Sequence, residues 1–338
     1  MMTTILIRAD ASASIGLGHA MRCLAIAEQL MLRGARVVFL MHQPLPQMVD
    51  KLSMAGATVR AAAHPAGSPD DAADVLAVAA VLGASCVIAD SYAMNSGYFA
   101  RLADDVRLVV LDDEAKVTPL PCHMVVNASP AAQSLPYDRI VPNALTLLGP
   151  RYALIRREFT DLRPHNGVAD LDDRNSVVVT FGGSDPLGLA WPVASRLRDL
   201  LPEAVTVDLI VGAATPHGAA IAARGKDCPG LNVHLNPPTV ASIFARAGMA
   251  VTAAGGTVNE LAAMAVPMLT VVVASNQQMG AQSGDFPTVD ARHDSHDEIV
   301  ARSMALWRDL AGRKVLSQGA AARIDGQGGA RVAEAILS

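Results

Sequence analysis

The chain alternates between short apolar runs and longer stretches in which apolar side chains recur at helical spacing. In the N-terminal half, short apolar runs predict strands that are buried on both faces. The clearest helical pattern covers residues 19–33, and Gly34 provides its stop. The predicted strands are residues 5–7, 37–40, 86–89, 108–111 and 124–126. Strands that alternate with helices in this way are typical of parallel sheets built from βαβ units.

The C-terminal half shows the same alternation. It begins with a predicted strand at residues 177–181, after a linker that contains proline and glycine at residues 162–167. Further strands are predicted at 205–211, 231–235, 249–252 and 268–273, and residues 297–338 are mostly helical in pattern. We therefore predict two α/β domains, residues 1–160 and 161–338, with the terminal helices able to pack back on the first domain.

Composition and charge restrict the class of protein. The 338 residues are 51% hydrophobic and 17% charged, which excludes a disordered chain or a coiled coil. The sequence has no apolar stretch of the ~20 residues needed to cross a bilayer and no secretory pattern at its start, so we expect a cytoplasmic location. A net charge of -5 without a basic run argues against nucleic acid as a partner. Four cysteines without a CxxC pair argue against structural zinc or disulfides.

A glycine-rich turn follows the first predicted strand and opens the first helix. Gly16 and Gly18 allow backbone N–H groups to approach a ligand, and a helix N-terminus favours anions. A dinucleotide fingerprint is a poor match, because the third glycine and the acidic residue after a second strand are absent. His19 follows directly, and its imidazole can accept a proton from water near neutral pH. A hydrogen bond to the backbone is its structural alternative.

Acidic residues end three predicted strands: Asp10, Asp90 and the segment 112–114. Open α/β sheets bind ligands at the carboxyl ends of their strands, so we expect these acids to converge on one site. Helix capping, turn formation and ion pairing with Arg8 or Arg22 are the structural alternatives. The adjacent carboxylates of residues 112–113 also suggest a site for a hard cation, although adjacent strand residues point in opposite directions.

Two further glycine-rich turns follow predicted strands in the second half, and a helix follows each turn. Such a pair is typical of a pyrophosphate cradle, although glycine is also the default residue of any tight turn. Glu260 lies one helical turn further on, where its carboxylate can accept hydrogen bonds from a ribose diol or serve in a capping box. Asn276 and Gln277 offer amides to a sugar. The residues of the two turns are Gly182, Gly183, Ser184, Gly255, Gly256 and Thr257.

Together these motifs resemble a known family, the UDP-2,4-diacetamido-2,4,6-trideoxy-β-L-altropyranose hydrolases of pseudaminic acid biosynthesis. These enzymes are relatives of the GT-B glycosyltransferase that makes lipid II. The resemblance implies an α/β, GT-B-like fold in which a cleft separates two Rossmann-like domains. The matching segments are residues 8–12, 15–24, 90–92, 112–114 and 149–159, the two glycine turns and residues 276–277.

The resemblance also implies an activity. It implies hydrolysis of a UDP-sugar at the anomeric carbon with inversion, which releases UDP and free 2,4-diacetamido-2,4,6-trideoxy-L-altrose. His19 is the implied base for water, and Asp10 is the second catalytic candidate. The two glycine turns and Glu260 are the implied UDP site, and neither a metal nor a cofactor is implied. The implied sugar-binding residues are Gly16, Gly18, Arg22, Asp90, Tyr92, Tyr152, Asn276 and Gln277.

Two other functions fit the same residues. A GT-B glycosyltransferase would bind the same UDP-sugar but transfer the sugar to an acceptor hydroxyl. We expect such an enzyme to carry a basic or apolar patch facing a membrane, and the first half has only scattered basic residues such as Arg101 and Arg107. A non-catalytic module that binds a nucleotide sugar would have no turnover.

Overall fold

The computed structural model describes residues 3–11, 17–165, 170–278 and 284–338. Its contacts divide the chain into two compact units. Unit 1 combines Met1–Arg157 with Gln327–Ser338, and unit 2 is Glu158–Gly326. The end of the chain, predicted as part of the second domain, thus belongs to unit 1.

In the described part of the chain, each unit contains one parallel sheet. Unit 1 has seven strands in the order β3-β2-β1-β4-β5-β6-β7, and unit 2 has six in the order β10-β9-β8-β11-β12-β13. The strands are β1 (Thr4–Ala9), β2 (Arg36–Met41), β3 (Thr58–Ala61), β4 (Ala84–Asp90), β5 (Leu108–Leu111), β6 (Met124–Asn127), β7 (Leu145–Leu148), β8 (Ser176–Thr180), β9 (Thr206–Val211), β10 (Leu231–Leu235), β11 (Met249–Ala253), β12 (Met268–Val272) and β13 (Thr288–Asp290).

Helices connect these strands. The described residues include α1 (Gly18–Leu32), α2 (Pro46–Met54), α3 (Asp71–Leu82), α4 (Ser96–Ala103), α5 (Tyr137–Ile140), α6 (Arg157–Thr160), α7 (Ala190–Leu200), α8 (Gly218–Gly225), α9 (Ala241–Arg246), α10 (Thr257–Ala263), α11 (His296–Arg308), α12 (Leu310–Arg323) and α13 (Gly328–Leu337). Short 3₁₀ helices cover Ala132–Ser134, Pro150–Tyr152 and Ser275–Gln277. Among the described residues, no helix combines the length and apolar character needed to span a bilayer.

The apolar runs form strands because both faces of each sheet are covered. In β1, Ile5 and Ile7 pack into a core with α1 and α13, whereas Leu6 packs into the core on the opposite face with α3 and α4. Each fully buried aliphatic side chain of this kind contributes about 1.5–3 kcal/mol. Strands β3, β7 and β13 were not predicted, because each lies at the edge of its sheet and therefore lacks a long apolar run.

The last helix is fixed to unit 1 by contacts at both of its ends. At its C-terminal end, the Arg107 guanidinium donates hydrogen bonds to the carbonyl oxygens of Ile336 and Ala335, at 2.9 and 3.1 Å. At its N-terminal end, Gly328 packs so closely on the backbone of Ala153 that a Cβ would collide with it. These contacts explain why α13 leaves unit 2 despite following its helices in sequence.

Both sheets reverse their strand order once, and each reversal marks a place where ligands bind in open α/β folds. In unit 1 the reversal lies between β1 and β4, and in unit 2 it lies between β8 and β11. At these points the loops that follow the two central strands diverge to opposite faces of the sheet. The candidate residues identified in the sequence follow these strands.

Candidate functional site

His19 and Asp90 form a hydrogen-bonded pair at the strand reversal of unit 1. His19 lies in the first turn of α1, and Asp90 is the last residue of β4, which pairs with β1. The His19 Nδ1 atom is 2.6 Å from Asp90 Oδ1, and both side chains are buried. The structure thus brings together two predicted site residues that are 71 positions apart in sequence.

Arg22 lies one helical turn after His19 and links Asp90 to a second carboxylate. Its Nε and one terminal nitrogen donate to the two oxygens of Asp90, at 2.6 and 2.5 Å. Its other terminal nitrogen donates to both oxygens of Asp113, at 2.8 Å each. The contact with Asp90, in which two nitrogens face two oxygens, is bidentate, and this is the strongest contact that a guanidinium makes with a carboxylate. Arg22, predicted to bind substrate, is therefore committed to two protein carboxylates.

Tyr92 completes this group of side chains. Its hydroxyl donates to Asp113 at 2.6 Å, and its ring meets the His19 ring edge to face, with centroids 4.7 Å apart and an interplanar angle of 76°. Tyr92 as a residue is 58% exposed, so part of its surface faces solvent beside the imidazole. We call the group of His19, Arg22, Asp90, Tyr92 and Asp113 the His19 cluster.

The electrostatics of the cluster decide which nitrogen of His19 carries a proton. Burial alone would raise the pKa of Asp90, but the charge of Arg22 and hydrogen bonds from Arg22 and His19 hold it well below its ordinary value. An ionised Asp90 only accepts hydrogen bonds, so the facing Nδ1 of His19 must donate. The other ring nitrogen, Nε2, has no hydrogen-bond partner among the described residues and can accept a proton.

Two groups close to His19 stay protonated. Desolvation of its hydroxyl and the charge of Asp113 raise the pKa of Tyr92 far above its ordinary value, so its phenol remains a neutral donor. Burial, followed by the charge of Asp90, raises the pKa of the Cys23 thiol in the same way. His19 Nε2 is therefore the atom of this cluster that is available as a proton acceptor.

Asp10 lies in a separate buried cluster. Its carboxylate accepts two hydrogen bonds from the Arg8 guanidinium, at 2.5 and 3.2 Å. It also accepts from the backbone N–H groups of His42 and Ala66, at 2.8 and 3.1 Å. These four donors occupy the roughly four acceptor sites of a carboxylate, and no hydrogen bond between described residues joins Asp10 to His19. Asp10 is thus ion-paired with Arg8, and among the described residues its hydrogen bonds do not extend to the His19 cluster.

The two adjacent carboxylates after β5 have different partners. Asp112 accepts hydrogen bonds from the Ala115 N–H at 2.9 Å and from the Tyr137 hydroxyl at 2.6 Å, whereas Asp113 joins the His19 cluster. This matches the alternation of side chains along a strand. No group of three or more His, Cys, Asp or Glu side chains in the described ranges has the arrangement of a metal site.

Other predicted sugar-binding residues lie elsewhere or outside the described part. Tyr152 ends the 3₁₀ helix Pro150–Tyr152 and packs against the core shared with α13. Gly18 begins α1, with open space where a Cβ would be. Gly16 and the side chain of Asn276 lie outside the described residues.

In unit 2, the first glycine turn follows β8 and is supported from behind by the loop after β9. Gly182 has φ +79°, in the left-handed region that favours glycine, and Gly183 has open space in the Cβ direction. The Gly183 carbonyl accepts from the Ala214 N–H at 2.9 Å. Gly212 packs so tightly that a Cβ there would collide with the backbone of Gly182 and Gly183. The turn is thus held on one side and open on the other.

The second glycine turn follows β11, the strand adjacent to β8. Gly255 and Gly256 precede α10, which begins at Thr257 and carries Glu260 in its first turn. Gln277 joins this region: its Oε1 accepts from the Val273 N–H at 3.0 Å, and its Nε2 lies 3.7 Å from the Cβ position of Gly255. The two turns and Gln277 thus come to the carboxyl edge of three neighbouring strands.

Gly212 belongs to none of the motifs predicted from the sequence, and Asp113 stands out there only together with Asp112, as an acidic strand end and a possible cation pair. Gly212 directly follows an apolar run at 205–211, so its position after a strand was the available signal. Asp113 had no local signal that separated it from Asp112. Its partners Arg22 and Tyr92 are distant in sequence.

Comparisons with protein-family models and with curated protein sequences find no match. Solved structures of similar fold are numerous, and three of them illustrate the similarity to this chain. Acinetobacter baumannii MurG has a TM-score of 0.64 at 14% identity, with 100% of this chain and 99% of that chain covered. The glycotransferase of kitacinnamycin has a TM-score of 0.67 at 18% identity, with the same coverage.

A third similar structure is the UDP-GlcNAc 2-epimerase from Neisseria meningitidis bound to UDP-GlcNAc, with a TM-score of 0.66 at 8% identity. It covers 99% of this chain, and the match spans 100% of the epimerase chain. The TM-scores indicate a shared fold, and at identities this low the similarity shows the fold alone. The fold of this chain is therefore α/β and GT-B-like, with two Rossmann-like domains, which confirms the fold class predicted from the sequence.

Proposed function

We propose that this protein is a UDP-sugar hydrolase in which His19 activates water. The substrate implied by the sequence resemblance is UDP-2,4-diacetamido-2,4,6-trideoxy-β-L-altropyranose. The observation that carries the proposal is the pairing of His19 with the ionised Asp90, which leaves Nε2 as an acceptor without a partner among the described residues. A buried carboxylate that fixes the tautomer of a histidine is the arrangement found in general-base catalysis.

The proposed reaction is a single displacement at the anomeric carbon. A water oxygen forms a bond to this carbon while the bond to the β-phosphate oxygen of UDP breaks, which inverts the configuration. His19 Nε2 takes the proton that the water loses, and the electron pair of the broken bond leaves with UDP. Asp90 stabilises the imidazolium that forms. Because UDP leaves as an anion, the reaction needs charge stabilisation at the diphosphate more than a general acid.

The glycine turns of unit 2 are the proposed UDP site. Gly182, Gly183 and Gly256 have no atoms within 4 Å in the Cβ direction, so a ligand can approach their backbone closely. The position of these turns at the strand reversal of the sheet supports this assignment. So does the epimerase of similar fold that is described as bound to UDP-GlcNAc. Glu260 is the proposed partner of the ribose hydroxyls.

A glycosyltransferase is the second candidate, because one of the structures of similar fold is described as the glycotransferase of kitacinnamycin. In that reaction the same Nε2 would take a proton from an acceptor hydroxyl in place of water. The two proposals therefore share the His19 cluster and the nucleotide site, and they differ in what attacks the anomeric carbon.

The deciding experiment is UDP release measured on purified protein with the altropyranose nucleotide and a panel of common UDP-sugars. Products would be identified by NMR, first without an acceptor and then with candidate acceptors. We expect equimolar UDP and free sugar from the altropyranose substrate without an acceptor. UDP formation that requires an acceptor would favour the transferase. UDP binding without any turnover would identify a binding module.

A further inference from the structure

We infer that Asp113 and Arg22 are positioning residues for His19, which hold its ring and set its proton affinity without binding substrate. This inference rests on the proposed function, in which His19 is the base. It is carried by the closed connectivity of the His19 cluster. The chain of contacts runs from His19 through Asp90, Arg22 and Asp113 to Tyr92, whose ring returns to His19.

All three nitrogens of Arg22 are engaged within the cluster. Its Nε and one terminal nitrogen donate to Asp90, and its other terminal nitrogen donates to both oxygens of Asp113. The side chain of Arg22 is only 24% exposed. A substrate phosphate or carboxylate that bound Arg22 through two nitrogens would have to compete with Asp90 or Asp113 for at least one of them. The charge of Arg22 therefore acts on the protein's own carboxylates.

Asp113 helps to fix the orientation of the His19 ring plane. The hydrogen bond to Asp90 holds the Nδ1 edge of the ring, but one hydrogen bond does not by itself prevent rotation of the ring about that bond. The edge-to-face contact with Tyr92 limits this motion. Tyr92 lies on a loop and is largely exposed, so its hydroxyl bond to Asp113 is what holds its ring in place. Asp113 thus positions the base through Tyr92.

The net charge of the cluster depends on whether His19 carries a second proton. While the imidazole is neutral, two carboxylates and one guanidinium leave the cluster with one net negative charge. When His19 takes a proton, the cluster becomes neutral. Removing the charge of Asp113 would leave a net positive cluster after protonation and so weaken the base. Among the described residues, the titratable and charged groups in contact with His19 are Asp90, Arg22 and Tyr92. Cys23 contacts Asp90, and Asp113 contacts Arg22 and Tyr92.

The test is the titration of His19 followed by NMR of histidine-labelled protein, with signals assigned from His19→Asn. In Asp113→Asn, we expect the midpoint of the His19 titration to fall by about 0.5 pH unit or more relative to wild type. The matched control is Glu114→Gln, which removes a neighbouring carboxylate that pairs with Lys116 at 2.8 Å and is not in the cluster. We expect Glu114→Gln to leave the His19 midpoint unchanged.

A second variant separates position from charge. Tyr92→Phe keeps the ring and both carboxylates but loses the hydroxyl bond to Asp113. We expect the His19 midpoint to stay within about 0.2 pH unit, because the charges are unchanged. We expect kcat for UDP release to fall about 10-fold with little change in KM, since the base is less well oriented.

Equal His19 midpoints in wild type and Asp113→Asn would overturn the electrostatic part of the inference. A rise in KM at unchanged kcat in Asp113→Asn or Arg22→Lys would show that these residues bind substrate, and would overturn the positioning role. The titration needs no substrate, so its outcome does not depend on turnover. If the midpoint shifts as expected but no UDP-sugar is hydrolysed, the arrangement of the cluster stands and the proposed function fails.

Discussion

The strand reversals of the two units have the same topology but are lined with different chemistry. In unit 1, helix α1, the end of β4 and the loops after β4 and β5 bring charged and aromatic side chains into one hydrogen-bonded cluster around His19. In unit 2, the loops after β8 and β11 present glycines with open space in the Cβ direction. Proton transfer requires a titratable side chain in a fixed position, whereas an anion is well held by backbone N–H groups. One sheet topology thus supports two kinds of site.

The two units also stabilise a buried carboxylate in different ways. Asp90 in unit 1 is held by the positive charge of Arg22 together with His19. Asp208 in unit 2 accepts from the Ser176 hydroxyl, the Asn232 amide and His234, and these hydrogen bonds lower its pKa against the effect of burial. Paired substitutions in the two units can therefore distinguish a chemical role from a structural one.

The largest effect is expected from the base itself. His19→Asn should reduce kcat for UDP release by about 10²- to 10⁴-fold, because an amide cannot take the proton from water. UDP affinity, measured by calorimetry, should be unchanged. The matched control is His234→Asn, which alters the histidine paired with Asp208 at 2.8 Å in unit 2. Wild-type turnover in His19→Asn, or an equal loss in His234→Asn, would remove His19 from the proposed mechanism.

The next largest effect concerns stability and its dependence on pH. Asp90→Asn should lower the free energy of unfolding by about 2–4 kcal/mol at pH 7, because Arg22 loses a buried charged partner. The pKa of Asp90 is lower in the folded than in the unfolded protein. Its contribution is therefore complete above about pH 4 and is lost as the pH falls further toward the folded value. Urea unfolding at pH 7, 5, 4 and 3 would measure it.

The difference between Asp90→Asn and wild type should shrink below about pH 4. The exposed Asp104→Asn serves as control, and we expect no difference at any of these pH values. Asp208→Asn should lower the free energy of unfolding by less than Asp90→Asn does, because two of the three partners of Asp208 are neutral donors. A difference between Asp90→Asn and wild type that stays constant to pH 3 would mean that the charge of Asp90 does not stabilise the fold.

A smaller effect is expected from Gly212→Ala, which should alter the proposed nucleotide site of unit 2 but not the His19 cluster of unit 1. Gly212→Ala places a methyl group against the backbone of Gly182 and Gly183, and we expect it to cost about 1–3 kcal/mol of stability in unit 2. UDP should bind more weakly, whereas the NMR titration of His19 should not change. Gly319→Ala in α12, where a Cβ meets no atoms within 4 Å, is the control. Unaltered UDP affinity in a folded Gly212→Ala would exclude the first glycine turn from the nucleotide site.

The smallest effect is expected on UDP affinity when Glu260, the proposed partner of the ribose hydroxyls, is replaced. Glu260→Ala should weaken UDP binding by about 1–2 kcal/mol if its carboxylate accepts hydrogen bonds from the ribose diol. Glu260→Gln should weaken UDP binding less than Glu260→Ala does, because an amide oxygen still accepts a hydrogen bond from the ribose. Calorimetry with UDP and with 2′,3′-dideoxy-UDP provides the test. If both nucleotides lose the same affinity in Glu260→Ala, the carboxylate does not bind the ribose hydroxyls.

Local patterns in the sequence were sufficient for much of the fold. Apolar runs identified the central strands, because strands covered on both faces carry few polar residues. Gly34 was predicted to end the first helix, and it has φ +82° just after α1. The edge strands β3, β7 and β13 escaped prediction, because an edge strand needs no continuous apolar run. The return of α13 to unit 1 depends on Arg107 and Gly328, whose partners are distant in sequence.

The sequence by itself determined the alternation of strands and helices, the glycine turns at strand ends and the place of His19 at the start of a helix. These features follow from local backbone preferences and from the period of hydrophobic residues. Only the tertiary structure decided that Asp90 pairs with His19, that Asp10 pairs with Arg8 instead, and that Gly212 supports the first glycine turn of unit 2. These pairings depend on which strands are neighbours and which face each side chain takes, and residue spacing along the chain carries neither kind of information.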